Sequence, residues 1–146
     1  HKSFYPNNEI PFEEWWPTIS QEENLETNKQ AKKLLEKGKI ILDSRYSVAY
    51  KAGLPVLSVF LHADLDTRSK RASNMPMYAG KKSEEIKQIL LKRENDEMRV
   101  GKQLYGEDFD YRDKKHYDII LDSDKLTIEE ELSEIINALD IDKLQA

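Results

Sequence analysis

Three short runs of branched apolar residues set the fold class of this chain. They are KIILD at 39–43, VLSVFL at 56–61 and YDIIL at 117–121. Such runs are typical of strands that are covered on both faces. Because segments with helical patterns separate them, the sequence predicts an α/β fold with a parallel sheet.

The helical segments carry their own start and stop signals. Ser20 and Glu23 have capping-box spacing and Gly38 follows a lysine-rich end, so a helix is predicted over 21–37. Thr127 and Glu130 repeat the capping box and predict a last helix whose inward face carries Leu132, Ile135, Ile136 and Leu139.

The segment between the second and third runs is predicted to be mostly helical. Asp64 or Asp66 is expected to cap a short helix through Arg71, and Ser83 is expected to cap a long helix that ends before Gly106. Five apolar residues of the long helix are expected to share one face: Ile86, Ile89, Leu90, Val100 and Leu104.

Length and composition limit the class of protein. The 146 residues, 38% of them hydrophobic, fit a single domain over 1–146: an irregular segment at 1–19, an α/β core at 20–74 and 117–146, and a helical region at 75–116. A net charge of -5 disfavours a nucleic-acid surface. We expect a soluble, cytoplasmic protein without a membrane span, because apolar runs are short and cysteine is absent. The oligomeric state stays open.

The tryptophans of the first segment have a structural and a functional interpretation, and the histidines are expected to be structural. Trp15 and Trp16 are expected to pack onto the domain, with a partner surface as the alternative. The histidines lack the spacing of metal ligands, so no metal site is predicted.

The arginines point to an anionic ligand. All of them fall between residues 45 and 112, whereas the lysines are spread along the chain. Arginine suits a two-pronged contact with phosphate or carboxylate, although surface ion pairs are an alternative. The six are Arg45, Arg68, Arg71, Arg93, Arg99 and Arg112.

Asp43 and Arg45 follow the first predicted strand. Ligands of open α/β sheets bind outside the carboxyl ends of strands, so Arg45 could hold an anion and Asp43 a magnesium-bound water or a sugar hydroxyl. Alternatively, Asp43 only caps a helix over 47–51.

Arg93 projects from the apolar side of the long helix, seven residues after Ile86. A buried-side arginine needs an anionic partner, which could be Asp96, Glu97 or a ligand phosphate. Arg99 points elsewhere on the helix.

Taken together, the order of these motifs resembles the cytidylate kinase family over about residues 25 to 140. The resemblance rests on KIILDSR, on the Arg68 and Arg71 pair after the second strand, on the Arg93-Glu94 helix leading to Leu-Tyr-Gly, and on the closing YDIILDSDKLTIEE. It implies a three-layer parallel sheet flanked by helices, with a P-loop, and transfer of the ATP γ-phosphoryl group to CMP or dCMP with Mg²⁺.

The resemblance also implies roles for single residues. Arg45 would bind the phosphate of the nucleoside monophosphate, with Asp43 beside it. Arg93 and Arg99 would belong to a lid, within the helical region at 75–116, that neutralises the transferring phosphoryl group. Arg71 would lie where the lid begins, near ATP.

One motif of the family is missing. No Gly-x-x-x-x-Gly-Lys-[Ser/Thr] sequence occurs in the chain, so the central strand and its phosphate-binding loop are lacking. We expect the chain to be part of a longer kinase. The alternatives are a kinase-like domain that only binds nucleotides, and an interaction module that completes its sheet with another chain.

Overall fold

The computed structural model, which describes residues 18–139, contains a two-stranded parallel sheet. Strand β1 (Val59–His62) pairs with β2 (Ile119–Asp122), and the register runs from Val59 opposite Ile119 to His62 opposite Asp122. A long helical crossover joins them, as parallel neighbours require. Both strands begin two or three residues later than the apolar runs that predicted them.

The prediction of a third strand at 39–43 is wrong for this structure. The segment has no strand conformation, and Ile41 is fully exposed. A strand needs a neighbour for its backbone hydrogen bonds, and the described part of the chain places none beside this segment. The α/β class is confirmed with a small sheet. The predictions for Trp15 and Trp16 lie outside the described residues.

Five α-helices complete the described part of the chain. They are α1 (Gln21–Lys37), α2 (Ser47–Tyr50), α3 (Leu65–Ser73), α4 (Ser83–Tyr105) and α5 (Ile128–Ala138). Short 3₁₀ turns lie at Pro76–Tyr78 and Lys114–His116. Between residues 18 and 139 no helix has the length and apolar character needed to cross a membrane.

The capping boxes confirm the predicted starts of α1 and α5. Ser20 and Glu23 hydrogen bond reciprocally before α1, and Thr127 and Glu130 do so before α5. The predicted cap of α4 is wrong by one residue. Lys82 precedes the helix, and its N–H donates to Glu85 Oε2 at 2.6 Å, so Ser83 is the first helical residue.

Two buried clusters share the helix α4. One joins its C-terminal half to the segments on either side of it and contains Tyr46, Tyr50, Val100 and Tyr111. The other joins its N-terminal half to α3 and contains Ala72, Tyr78 and Ile86. The five residues predicted to share one face therefore serve two clusters, because a helix of 23 residues is long enough to contact different partners at its two ends.

Helix α5 differs from its prediction in burial. Leu132 is 54% and Ile136 is 42% exposed, whereas both were expected to face inward. Ile135 and Leu139 are half-buried. In the part of the chain that the structure describes, the sheet has two short strands, so it offers little apolar area for a helix to cover. Amphipathic spacing identifies the apolar residues of α5 but does not show whether another element covers them.

A polar cluster fixes the beginning of the two strands. The Asp118 carboxylate accepts hydrogen bonds from the Ser58 hydroxyl at 2.5 Å and from the Ser58 N–H at 2.8 Å. Lys51 Nζ donates to Ser58 Oγ and to the His116 carbonyl, and lies 3.9 Å from Asp118. The Ser58 hydrogen bonds lower the pKa of Asp118, and Lys51 lowers it further.

The substitution Asp118→Asn is expected to lower the free energy of unfolding by about 1 kcal/mol at pH 7, since the carboxylate is half exposed. A lowered pKa in the folded state stabilises above the unfolded pKa, and this contribution is lost as pH falls through the folded value. The deficit of the variant should therefore shrink below about pH 4. Chemical denaturation at pH 7 and pH 3 measures it. Asp108→Asn, an exposed control, should show no such pH-dependent deficit.

Candidate functional site

The buried Glu97 carboxylate is contacted by two arginines and a tyrosine. Its Oε2 lies 2.8 Å from the Arg45 guanidinium, and its Oε1 accepts a hydrogen bond of 2.9 Å from Arg93 Nε. The Tyr111 hydroxyl donates to Oε2 at 3.4 Å. The carboxylate side chain is only 3% exposed, whereas those of Arg45 and Arg93 are 41% and 30% exposed.

Two of the predicted site residues are thereby brought together. Arg45 lies between α1 and α2, and Arg93 lies in α4. The prediction left Asp96, Glu97 or a ligand as the partner of Arg93, and the structure shows Glu97, one helical turn later. The pairing of Arg45 with the same carboxylate had no local sequence signal.

Tyr46 holds the Arg45 segment against α4. Its ring is buried, and its hydroxyl donates to the Glu97 carbonyl at 2.7 Å. The ring makes edge contacts with Tyr105, Phe109 and Tyr111, with centroids about 6 Å apart. This contact fixes the backbone next to Arg45 relative to Glu97.

Both buried tyrosines beside the cluster remain hydrogen-bond donors at neutral pH. Burial raises the pKa of Tyr46, and the nearby Glu97 carboxylate raises it further. Burial also raises the pKa of Tyr111, with Glu97 acting in the same direction and Arg45 opposing it. Sequence reasoning did not identify either tyrosine as part of the site. The only signal was the position of Tyr46 directly after Arg45.

The other arginines do not join this cluster. Arg99 is half exposed and lies 3.5 Å from Asp96. Arg68 pairs with Glu94 at 2.6 Å. The remaining two are tied elsewhere: Arg71 donates to the Ser123 carbonyl at 2.8 Å, and Arg112 pairs with Asp110 at 3.3 Å. Among the described residues, Arg45 and Arg93 share the Glu97 carboxylate, whereas Arg68, Arg99 and Arg112 form separate ion pairs.

Asp43 is exposed two residues before Arg45. The alternative that it caps the next helix is wrong, because Tyr46 is the residue that precedes α2. No site role of Asp43 follows from a contact in the structure. Its position in the chain next to Arg45 is what keeps it a candidate.

Within residues 18–139, one group of side chains has donor atoms close enough together to hold a metal ion. The ligand atoms of His62, Asp64 and Asp124 lie within 4.8 Å of one another at the carboxyl ends of β1 and β2. Asp124 Oδ2 accepts a hydrogen bond of 2.7 Å from the Asp64 N–H. Mg²⁺ prefers oxygen ligands, so a set that includes an imidazole does not fit it. The sequence also contains no Gly-x-x-x-x-Gly-Lys-[Ser/Thr] motif.

The amino-acid sequence is similar to a known protein family and to a curated relative. A family model described as the cytidylate kinase-like family matches residues 12–125. A cytidylate kinase of Methanopyrus kandleri is 28% identical over 126 residues, which cover 80% of this chain and 63% of that protein. The chain thus spans less than two thirds of the length of this relative. No solved structure matches the chain significantly.

Proposed function

The chain belongs to the cytidylate kinase-like family, and we propose that it forms part of a nucleoside monophosphate kinase that transfers the ATP γ-phosphoryl group to CMP or dCMP. Membership of the family implies a nucleotide substrate, with ATP and Mg²⁺ as cosubstrate and metal. The choice of CMP over other nucleoside monophosphates, the residue roles and the extent of the protein are parts of this proposal.

The convergence of Arg45 and Arg93 on Glu97 is the observation that carries it. Both guanidinium groups are partly exposed, whereas the carboxylate that they share is buried. Paired guanidinium groups with access to solvent are suited to a phosphate, whose oxygens accept several hydrogen bonds at once.

Each predicted residue has a role in this proposal. Arg45 binds the phosphate of CMP, and Asp43 lies beside it near the sugar. Arg93 and Arg99, both in α4, neutralise the phosphoryl group during transfer, and Arg71 lies toward ATP. Phosphoryl transfer depends mainly on positioning and charge neutralisation, which are what such arginines supply.

The phosphate-binding loop is proposed to lie in a further segment of a longer protein. The short share of the Methanopyrus kandleri enzyme that this chain covers supports this view. So does the open sheet, since within residues 18–139 no strand lies beside the apolar segment at 39–43 and β1 is paired on one side only. A strand that paired with both of them would complete the parallel sheet of a three-layer P-loop kinase, in which helices flank the sheet. Mg²⁺–ATP would be held there.

Turnover by the complete gene product tests the proposal. ATP and CMP should yield ADP and CDP, and dCMP should be accepted as well. An ADP-coupled assay measures the rate, with UMP and AMP as competing acceptors. Formation of ADP only with UMP or AMP would contradict the proposed specificity. Binding of CMP without turnover would instead favour the alternative of an inactive, nucleotide-binding relative.

A further inference from the structure

We propose that Glu97 is a positioning residue, which holds Arg45 and Arg93 next to each other for the substrate phosphate without itself contacting the substrate. This inference rests on the proposed function, because it concerns the same two arginines. It adds a residue to which the prediction gave no role beyond a possible ion pair.

The geometry of the carboxylate supports this role. Each of its oxygens contacts a different arginine, so Arg93 cannot turn away without losing a charged hydrogen bond and Arg45 cannot do so without losing its ion pair. Tyr111 adds a hydrogen bond to the oxygen that contacts Arg45, and the Arg45 guanidinium lies 5.8 Å from the centre of the Tyr111 ring. With 3% of its side chain exposed, Glu97 is too deeply buried to reach a ligand that approaches from solvent.

Glu97 also connects parts of the chain that are distant in sequence. Arg45 belongs to the segment before α2, Arg93 to the middle of α4, and Tyr111 to the loop after α4. The Tyr46 hydroxyl bonds the main chain of Glu97 itself, so the residue is fixed by both its backbone and its side chain. Glu97 thus holds Arg45, the proposed substrate-binding arginine, and Arg93, the proposed lid arginine, against the same carboxylate.

A different role is conceivable for a carboxylate between two arginines, namely that it competes with the phosphate. The burial of Glu97 argues against this role. A phosphate that displaced the carboxylate would leave a buried negative charge without a partner, which is strongly unfavourable. The two roles also predict opposite results. Removing a competitor strengthens CMP binding, whereas removing a positioning residue weakens it.

The variant Glu97→Gln tests the inference in the complete protein, since glutamine keeps the size and loses the charge. The KM for CMP is expected to rise by about tenfold or more, as for the loss of one charged hydrogen bond. The value of kcat should fall, and the KM for ATP should stay nearly unchanged. Glu97→Asp, which keeps the charge, should lie between wild type and Glu97→Gln. Glu107→Gln removes an exposed carboxylate after α4 and serves as the matched control.

Three results would overturn the inference: tighter CMP binding by Glu97→Gln, an unchanged KM for CMP, or parallel increases of both KM values. A readout without catalysis separates this inference from the proposed function. In ¹⁵N-labelled protein, the Arg93 Nε–H signal should shift on titration with pyrophosphate, and Glu97→Gln should weaken that binding. If the wild-type protein shows no turnover, the proposed function is wrong, and this titration alone decides the role of Glu97. The inference about Glu97 is refuted if wild type and Glu97→Gln bind pyrophosphate equally well, or if wild type does not bind it.

Discussion

Replacing Arg45 with alanine is expected to raise the KM for CMP by about 100-fold, because two charged hydrogen bonds to a phosphate are each worth about 1.5 kcal/mol or more. Stability should change little. The Arg45 side chain is 41% exposed, and Arg93 continues to pair with Glu97 when Arg45 is removed. Steady-state kinetics of the complete protein and thermal unfolding measure the two effects separately.

Two further variants make this result specific. Arg112→Ala removes an arginine of similar exposure that pairs with Asp110, outside the cluster, and should leave the KM for CMP unchanged. Arg45→Lys should recover only part of the affinity, since an ammonium group cannot make a planar, two-pronged contact. If Arg45→Ala and Arg112→Ala have the same KM for CMP, then Arg45 does not bind the substrate.

Helix ends were the most predictable part of the fold, because their signals are local. The capping boxes at Ser20 and Thr127 satisfy backbone N–H groups within three residues, so sequence spacing alone specifies them. Gly38 ends α1 with φ of 68°, a conformation that favours glycine. The cap of α4 was predicted one residue late, because Ser83 is a better capping residue by type than Lys82.

The strand at 39–43 was predicted from composition and does not form. Branched apolar residues make a strand favourable only where a second strand accepts and donates its hydrogen bonds, and this condition is not local. The exposure of Ile41, and of Leu132 and Ile136 in α5, shows the same limit. Apolar pattern identifies the surface that is suited to burial, but a neighbour has to be present to bury it.

In the candidate site, the contact within one helix was predictable from the sequence, whereas the long-range contact was not. The contact between Arg93 and Glu97 lies within one helical turn, so the sequence placed Glu97 among the possible partners. Arg45 meets that carboxylate where Tyr46 anchors its segment to a residue 51 positions further along the chain. Contacts at such separations depend on packing, and the aromatic residues that provide it carried no functional signal in the sequence.

Gly101 is the position at which this packing should be most sensitive to substitution. A Cβ atom there would lie 2.8 Å from Phe109 Cε1 and 3.2 Å from Tyr46 Cε1. Alanine gains about 1 kcal/mol over glycine within a helix, whereas overpacking a buried site costs up to about 3 kcal/mol. Gly101→Ala is therefore expected to lower the free energy of unfolding by about 2 kcal/mol in chemical denaturation.

The same substitution should also weaken CMP binding, because the Tyr46 ring has to move and Arg45 is the neighbouring residue. A double-mutant cycle tests the cause. Phe109→Leu removes the ring that lies closest to Gly101, so Gly101→Ala should cost less stability in the Phe109→Leu background than in wild type. Equal costs in both backgrounds would mean that the aromatic cluster does not limit this position. A more stable Gly101→Ala protein would mean that helix propensity outweighs packing here, and that the link between Tyr46 and α4 tolerates displacement.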